Sequence, residues 1–281
     1  MPGLTSRALH PVIDQFYKEG KMDFSTDQIY VVSGNLVSAT TANTGLVNYE
    51  DMIHSNLLGQ MAADKKLGSR FVDPAAWLSF YKTTVGSLFW SVSEQGNNNF
   101  VIPPGAQSLT VQEILAGSFF KRLNQAQINS ATKSINLFNQ LPEDDSAFIL
   151  YNLKSYIKMP TTAKAGRPPK TASYSVNLQI SIAHADSEVA LCNVYFQTRQ
   201  EINDDLFKQK FTVKELVGGI NVFYLKAQIL ESNYAKIRQT VIDKLGEENI
   251  NSNILLVAED SEIPPPLSPT AARSFIRSLQ I

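Results

Sequence analysis

One cysteine, Cys192, stands in 281 residues. An internal disulfide is therefore excluded, and so is a zinc site built on several thiolates. Histidine is nearly as scarce. His10, His54 and His184 are scattered, with neither an HExxH nor an H-x3-H spacing, so no metal or other cofactor is expected. The sequence also lacks any apolar run approaching the ~18 residues that a membrane-crossing helix needs. An excess of one charge is missing too: 25 Lys and Arg against 26 Asp and Glu leave a net charge of −1, which argues against nucleic acid as a partner. G-x-S-x-G, P-loop and G-x-G-x-x-G are absent, and no enzyme chemistry is expected. The opening stretch "MPGLTSRALHPVIDQFYKEGKMDF" places Pro11 and Asp14 where a secretory signal needs an unbroken apolar core. The expectation is synthesis in the cytoplasm without a signal peptide, as an inclusion or released, with action at a target-cell membrane.

What is present divides by period. The first half is mainly helical: a stripe through Val47, Met52, Ile53, Leu57 and Met61, then "VDPAAWLSFYKTTVGSLFWSV" with Asp73 as N-cap and Pro74 in the first turn. "EQGNNNFVIPPG" reads as a break with a short edge strand over 100–102, and "VSATTANTG" as a polar loop. Thr110 and Glu113 have the spacing of a capping box, and "QAQINSATKSINLFNQL" is a further amphipathic helix. The second half reads as strands over "SAFILYNLKSYIKM", "SYSVNLQISI", "EVALCNVYFQTRQEI", "LFKQKFTVKEL" and "INVFYLKAQIL", joined by the turns "HADS", "NDD" and "VGG" as an antiparallel meander. Then come a helix over "NYAKIRQTVIDKL" and a strand in "NILLVAED". The predicted fold class is α+β: one domain over 28–260, helices on a long antiparallel sheet, a removable arm over 1–27 and a proline-rich tail over 261–281.

The strands carry the functional signal. Tyr174, Val176, Leu178, Ile180 and Ile182 fall on one side of a strand, and Ser173, Ser175, Asn177, Gln179 and Ser181 on the other. The polar side holds no charge. A neutral polar side opposite an apolar one suits a strand with water on one side and lipid on the other. These strands also run to about 11–13 residues, against a usual mode of about 5–6 and the roughly 9–11 that cross a bilayer. Leu191, Val194, Phe196, Phe211 and Val213 extend the apolar candidates. A half-buried sheet packed on helices explains the alternation equally well. Lys164, Arg167 and Lys170 share one basic loop that could touch phosphate headgroups. Glu143, Asp144 and Asp145 read as a solvated loop, and Gly218-Gly219 as a hairpin turn. Cys192 reads as buried packing, with acylation as the alternative and His184 as a nearby base only if the fold brings it into reach.

Read in order, "QINSATKSINLFNQLPEDDSAFILYN", "YSVNLQISIAHADSEVALCNVYFQ" and "FKQKFTVKE" resemble the cytolytic (Cyt) δ-endotoxins, single-domain pore-forming toxins of bacterial inclusion crystals. The resemblance is best over residues 128–216. Tyr174, Asn177, Ile180 and Cys192 correspond to positions of that family's "YxxNxxFxIQ"-like strand and of the small/apolar strand after it. The chain departs from the family in its longer N-terminal segment, the loop "TTAKAGRPPKTA" and the proline-rich tail. The resemblance implies helix hairpins on both faces of a sheet and activation by trimming of the termini. It also implies a phospholipid membrane as partner, a homo-oligomer (a dimer in solution, larger on the membrane), and insertion of strands 174–184, 189–199 and 206–216. The alternatives are an acyl-handling or lipid-binding virulence protein that uses Cys192, and a non-lytic structural protein.

Overall fold

The structure, a computed structural model, describes residues 24–26, 28–40, 46–159, 173–203 and 205–257. The chain runs through β1 (Ile29–Val32), β2 (Asn35–Ala39), α1 (Leu46–Leu67), α2 (Pro74–Ser87), β3 (Trp90–Asn99) and β4 (Ser108–Leu109). There follow α3 (Val111–Gly117), α4 (Gln125–Phe138), α5 (Ser146–Ser155), β5 (Tyr156–Met159), β6 (Ser173–Ala183) and β7 (Glu188–Thr198). The last elements are β8 (Phe211–Thr212), β9 (Leu216–Ile229), α6 (Glu231–Tyr234), α7 (Arg238–Leu245), α8 (Glu247–Asn253) and β10 (Ile254–Val257). Eight strands form one sheet in the order β10-β1-β2-β6-β7-β9-β3, with β5 also paired to β6. Helices cover both faces, which makes this a three-layered, single-domain α+β fold.

Several local signals act as read. Asp73 caps α2 by accepting from Ala76 N, and Pro74 begins the helix. Thr110 and Glu113 close a capping box on α3. Asn124 and Gln127 do the same for α4, which then buries Ala131, Ile135 and Phe138 on one side.

Other readings are corrected. "SAFILYNLKS" is the helix α5, not a strand. Asp145, one of the three acidic loop residues, is its N-cap, accepting from Ala147 N and Phe148 N. Phe148, Tyr151, Asn152 and Ser155 then line up at helical spacing and are buried. "EQGNNN" is no break but the body of β3, ten residues paired antiparallel with β9. Phe89, at φ 64°, turns the chain out of α2 directly before it. The start of the expected loop over 37–45 is strand: residues 37–39 belong to β2, which pairs with β6 in parallel, so the sheet is not a pure meander. Gly218-Gly219 lies inside β9 rather than in a hairpin turn. The register against β7 jumps from Tyr195↔Asn221 to Gln197↔Val217, and Gly218 takes up the resulting bulge at φ 77°. The stretch 206–216 is not a long strand either. The Asp205 carboxylate accepts from Phe207 N and Lys208 N and turns the chain, leaving the two-residue β8 and a 3-10 turn at Val213–Glu215.

The expected tail over 261–281 lies outside the described residues, as does most of the arm over 1–27. Phe24 is described and buried, with its ring 5.3 Å from Tyr30 and edge-on to His54 at 5.4 Å. Burial lowers the His54 pKa from 6.5 to about 4. The unfolded chain therefore takes up this proton first as pH falls. The stability that neutral His54 confers is present above about pH 6.5 and is lost progressively toward pH 4, by about 3 kcal/mol in all. The difference in unfolding free energy between neutral pH and pH near 4, from urea titrations, should be smaller by about that amount in His54→Leu than in the parent. An equal acid loss in both proteins would refute the assignment.

Candidate functional site

The three longest strands that are paired to one another, β6, β7 and β9, run 11, 11 and 14 residues. Two charged side chains occur on all three, Glu188 and Lys226. The ladder places Glu188 opposite Gln228 and Lys226 opposite Ala190, so both charges lie at the same end of the ribbon. Residues 173–183, 189–198 and 216–225 are left without charge.

The face turned toward α3, α4 and α5 is apolar across the ribbon. It carries Tyr174, Val176, Leu178, Ile180 and Ile182 from β6, Ala190, Cys192, Val194 and Phe196 from β7, and Ile220, Val222 and Tyr224 from β9. Phe138, Phe148 and Tyr151 pack over it as an aromatic cluster with Phe207. Among the insertion candidates, Tyr174, Val176, Leu178, Ile180, Ile182, Val194 and Phe196 share this face. Leu191 points to the opposite one. Phe211 and Val213 lie off the ribbon. Phe211 is instead a buried cover residue, its ring edge-on to Phe196 at 4.9 Å. Val222 and Tyr224 were missed as candidates, although "INVFYLKAQIL" carries the same alternation.

The opposite face explains the neutral side chains. Ser175, Asn177, Gln179 and Ser181 are not solvated; all are buried beneath α1 and the turn that leads into α2. Asn193 Nδ2 donates to Asn177 Oδ1 (2.6 Å), and Asn177 Nδ2 donates to the Arg70 carbonyl (2.9 Å). Asn35 Nδ2 donates to Ser181 Oγ (2.8 Å). Arg70 reaches back over the same region. Its Nη2 donates to Gln60 Oε1 (2.7 Å), and its guanidinium stacks 4.3 Å from the Trp77 ring centre. Gln60 in turn donates to the Val32 carbonyl and to Asn56. At these β6 positions Asn177 and Ser181 find partners, while Ser175 Oγ and both amide atoms of Gln179 are buried without one, a cost far smaller for a neutral group than for a charge. The lack of charge is thus a requirement of burial in this fold.

A second feature lies where β3 meets the 3-10 turn Phe120–Arg122. Tyr224 lies flat over Gly96, whose missing Cβ makes room for the ring, and Arg122 stacks on Tyr224 at 3.8 Å. Arg122 Nη1 and Lys226 Nζ share the Glu94 carboxylate at 2.8 and 3.7 Å. Lys121, Arg122, Asn98, Asn99 and Phe100 line a cleft of about 530 Å³, with Val101 82% exposed at its rim. Together Lys121, Arg122 and Lys226 outnumber the single carboxylate.

The basic-loop candidates Lys164, Arg167 and Lys170 lie outside the described residues. Cys192 is fully buried opposite Ile180, and burial pushes its thiol well above the ordinary range. His184 is not brought to it. The imidazole lies between Thr40 Oγ1 (2.7 Å) and Asn124 Nδ2 (3.3 Å), at the end of β6. Among the described residues no group of three or more His, Cys, Asp or Glu could hold a metal ion, and no helix is long and apolar enough to cross a membrane.

The solved structures similar to this chain include the following three. An activated Cyt2Ba monomer from Bacillus thuringiensis subsp. israelensis is 15% identical at a TM-score of 0.39, over 71% of this chain and 98% of that one. A δ-endotoxin gives 14% and 0.34, over 76% and 89%. The Evf virulence factor gives 11% and 0.37, over 84% and 89%. Two of the three bear the family name reached from the sequence. At these values the likeness carries no functional argument, and the reading that follows is built on residues and geometry. No protein-family model matches the chain, and no curated protein sequence does.

Proposed function

We propose that the protein acts on phospholipid membranes, shedding the helices over its apolar sheet face and inserting the β6-β7-β9 ribbon to permeabilise them. One observation carries this reading: three consecutively paired strands, long enough to span as tilted strands, with both of their charges at one end. The face that is apolar over 174–182, 190–196 and 220–224 would meet lipid, with Glu188 and Lys226 at one end of it, and the Ser/Asn/Gln side of β6 would meet water. The third inserting element is β9, in place of residues 206–216. A three-stranded ribbon in hydrocarbon leaves open edges, so several copies must close it into a ring. The Lys121–Arg122 cleft would hold a headgroup phosphate before insertion, with Val101 dipping into the interface. Action at a target membrane requires export or lysis of the producing cell.

The test is dye release from liposomes of mixed phospholipid, using the intact protein and protein briefly trimmed with trypsin. Lys21 is the last tryptic site before the core residue Phe24. Release that rises after trimming is the expected result. Neither binding nor release by either form would sink the proposal.

A further inference from the structure

We infer that the outer edge of β3 is a self-pairing surface that joins two copies of this chain into one continuous sheet across a two-fold axis. This inference goes beyond the membrane reading and does not depend on it. β3 is the terminal strand of the eight-stranded sheet, and most of its length is exposed. Phe100 N donates to the Ile220 carbonyl. By the alternation of an antiparallel ladder, Asn98 and Gly96 also face β9, while the N–H and C=O of Gln95, Asn97 and Asn99 point outward. Among the described residues no hydrogen bond is made by those outward backbone groups.

Proteins usually guard such an edge with lysine, proline or a very short strand. β3 has neither Lys nor Pro, and its one irregularity, between Val92 and Glu94, leaves 95–99 regular. Its single charge, Glu94, is already held by Arg122 and Lys226 within the same molecule. Apart from Gly96, the side chains along the regular stretch are neutral amides, each both donor and acceptor, and Gln95 Oε1 also accepts from Lys82 Nζ of α2 at 3.3 Å. The other end of the sheet, β10, is only four residues long. A strand pairing antiparallel with its own copy obeys two-fold symmetry, and centring the axis on Asn97 sets Gln95 against Asn99 of the second copy. Gln95, Asn97 and Asn99 then exchange about six backbone hydrogen bonds across the junction. Two-fold pairing uses up both β3 edges and stops at a dimer.

Single-cysteine variants test the register, because Cys192 is buried and out of reach of exchange. At the axis the two Cα atoms are about 5.5 Å apart, inside the disulfide range of about 4.4–6.8 Å. Asn97→Cys should therefore form a covalent dimer under mild oxidation several-fold faster than Gln95→Cys or Asn99→Cys alone. A mixture of those last two should cross-link to each other. Sedimentation equilibrium of the unmodified protein should show a reversible dimer, and Asn97→Lys, which sets two ammonium groups face to face, should return it to monomer. These positions are exposed, so circular dichroism should be unchanged. A monomer at every concentration with no preferred cross-link at residue 97 overturns the inference. So does a dimer that Asn97→Lys leaves intact, or an open-ended polymer.

Discussion

A protein carrying Ser38→Cys and Ser130→Cys, oxidised, will bind liposomes but release no more dye than protein-free controls, and reduction will restore release. The two serines stand at the junction of sheet and cover. Ser130 on α4 donates to Ser38 Oγ at 2.9 Å and contacts the Ala39 carbonyl at 3.0 Å, both on β2. Oxygen atoms this close leave room for a disulfide with little backbone movement. α4 supplies Ala131, Ile135 and Phe138 to the apolar face of the ribbon, so lipid cannot reach that face while α4 stays in place. The bond closes a loop spanning 92 positions, which opposes unfolding by on the order of 4 kcal/mol. The buried Cys192 does not compete for pairing. Mass spectrometry should establish the bond before release is measured. Undiminished release from fully oxidised protein would show that the ribbon does not need α4 to leave, and the insertion proposal would fall.

The second large effect concerns the layer on the opposite face. Asp51 on α1 is 1% exposed, and Arg238 at the start of α7 grips it with two bonds: Nε to Oδ1 at 2.7 Å and Nη2 to Oδ2 at 2.8 Å. Fork-to-fork geometry of this kind fixes both helices, and the partly exposed Arg238 loses little solvation in making it. Arg238→Ala leaves a buried carboxylate without its counter-charge and should cost about 3 kcal/mol. The urea midpoint should fall at constant slope. Arg238→Ala combined with Asp51→Leu should recover most of the loss, because the orphaned charge is then gone. A loss below about 1 kcal/mol would place the pair with ordinary surface bridges.

Sequence alone revealed the elements whose period and punctuation agree. β6 has unbroken alternation, β7 follows a polar turn as an apolar run rich in strand formers, and α2, α3 and α4 have caps. It misled where two periods fit the same residues. "SAFILYNLKS" is rich in residues that favour strands, and the cap at Asp145 together with a helical line of large side chains decides for the helix. β3 was hidden for another reason. Its amides have little strand propensity, and it exists because β9 supplies a ladder from more than a hundred residues away. In 206–216, Phe207 and Phe211 alternate like strand residues, but they are buried as cover over the sheet, on a chain already turned by Asp205. The candidate site was legible as one face of β6 and β7. Its third strand, and the burial of its polar face, depend on what packs where and have no local signature.

The amide seam between Asn193, Asn177 and the Arg70 carbonyl also marks which way up the sheet lies. Shifting β6 by one residue against its neighbours would turn Tyr174, Val176 and Leu178 toward the acceptors under α1 and drive Ser175, Asn177 and Gln179 into the aromatic cluster. The shift breaks the bonds of Asn177 to Asn193 and the Arg70 carbonyl and that of Ser181 to Asn35, at about 1–3 kcal/mol for each polar group newly orphaned, whereas Ser175 and Gln179 lack partners already. A wholly apolar β6 would accept either helical layer on either side. The five neutral residues of "SYSVNLQIS" therefore act as an orientation key, admitting one layer of helices and refusing the other.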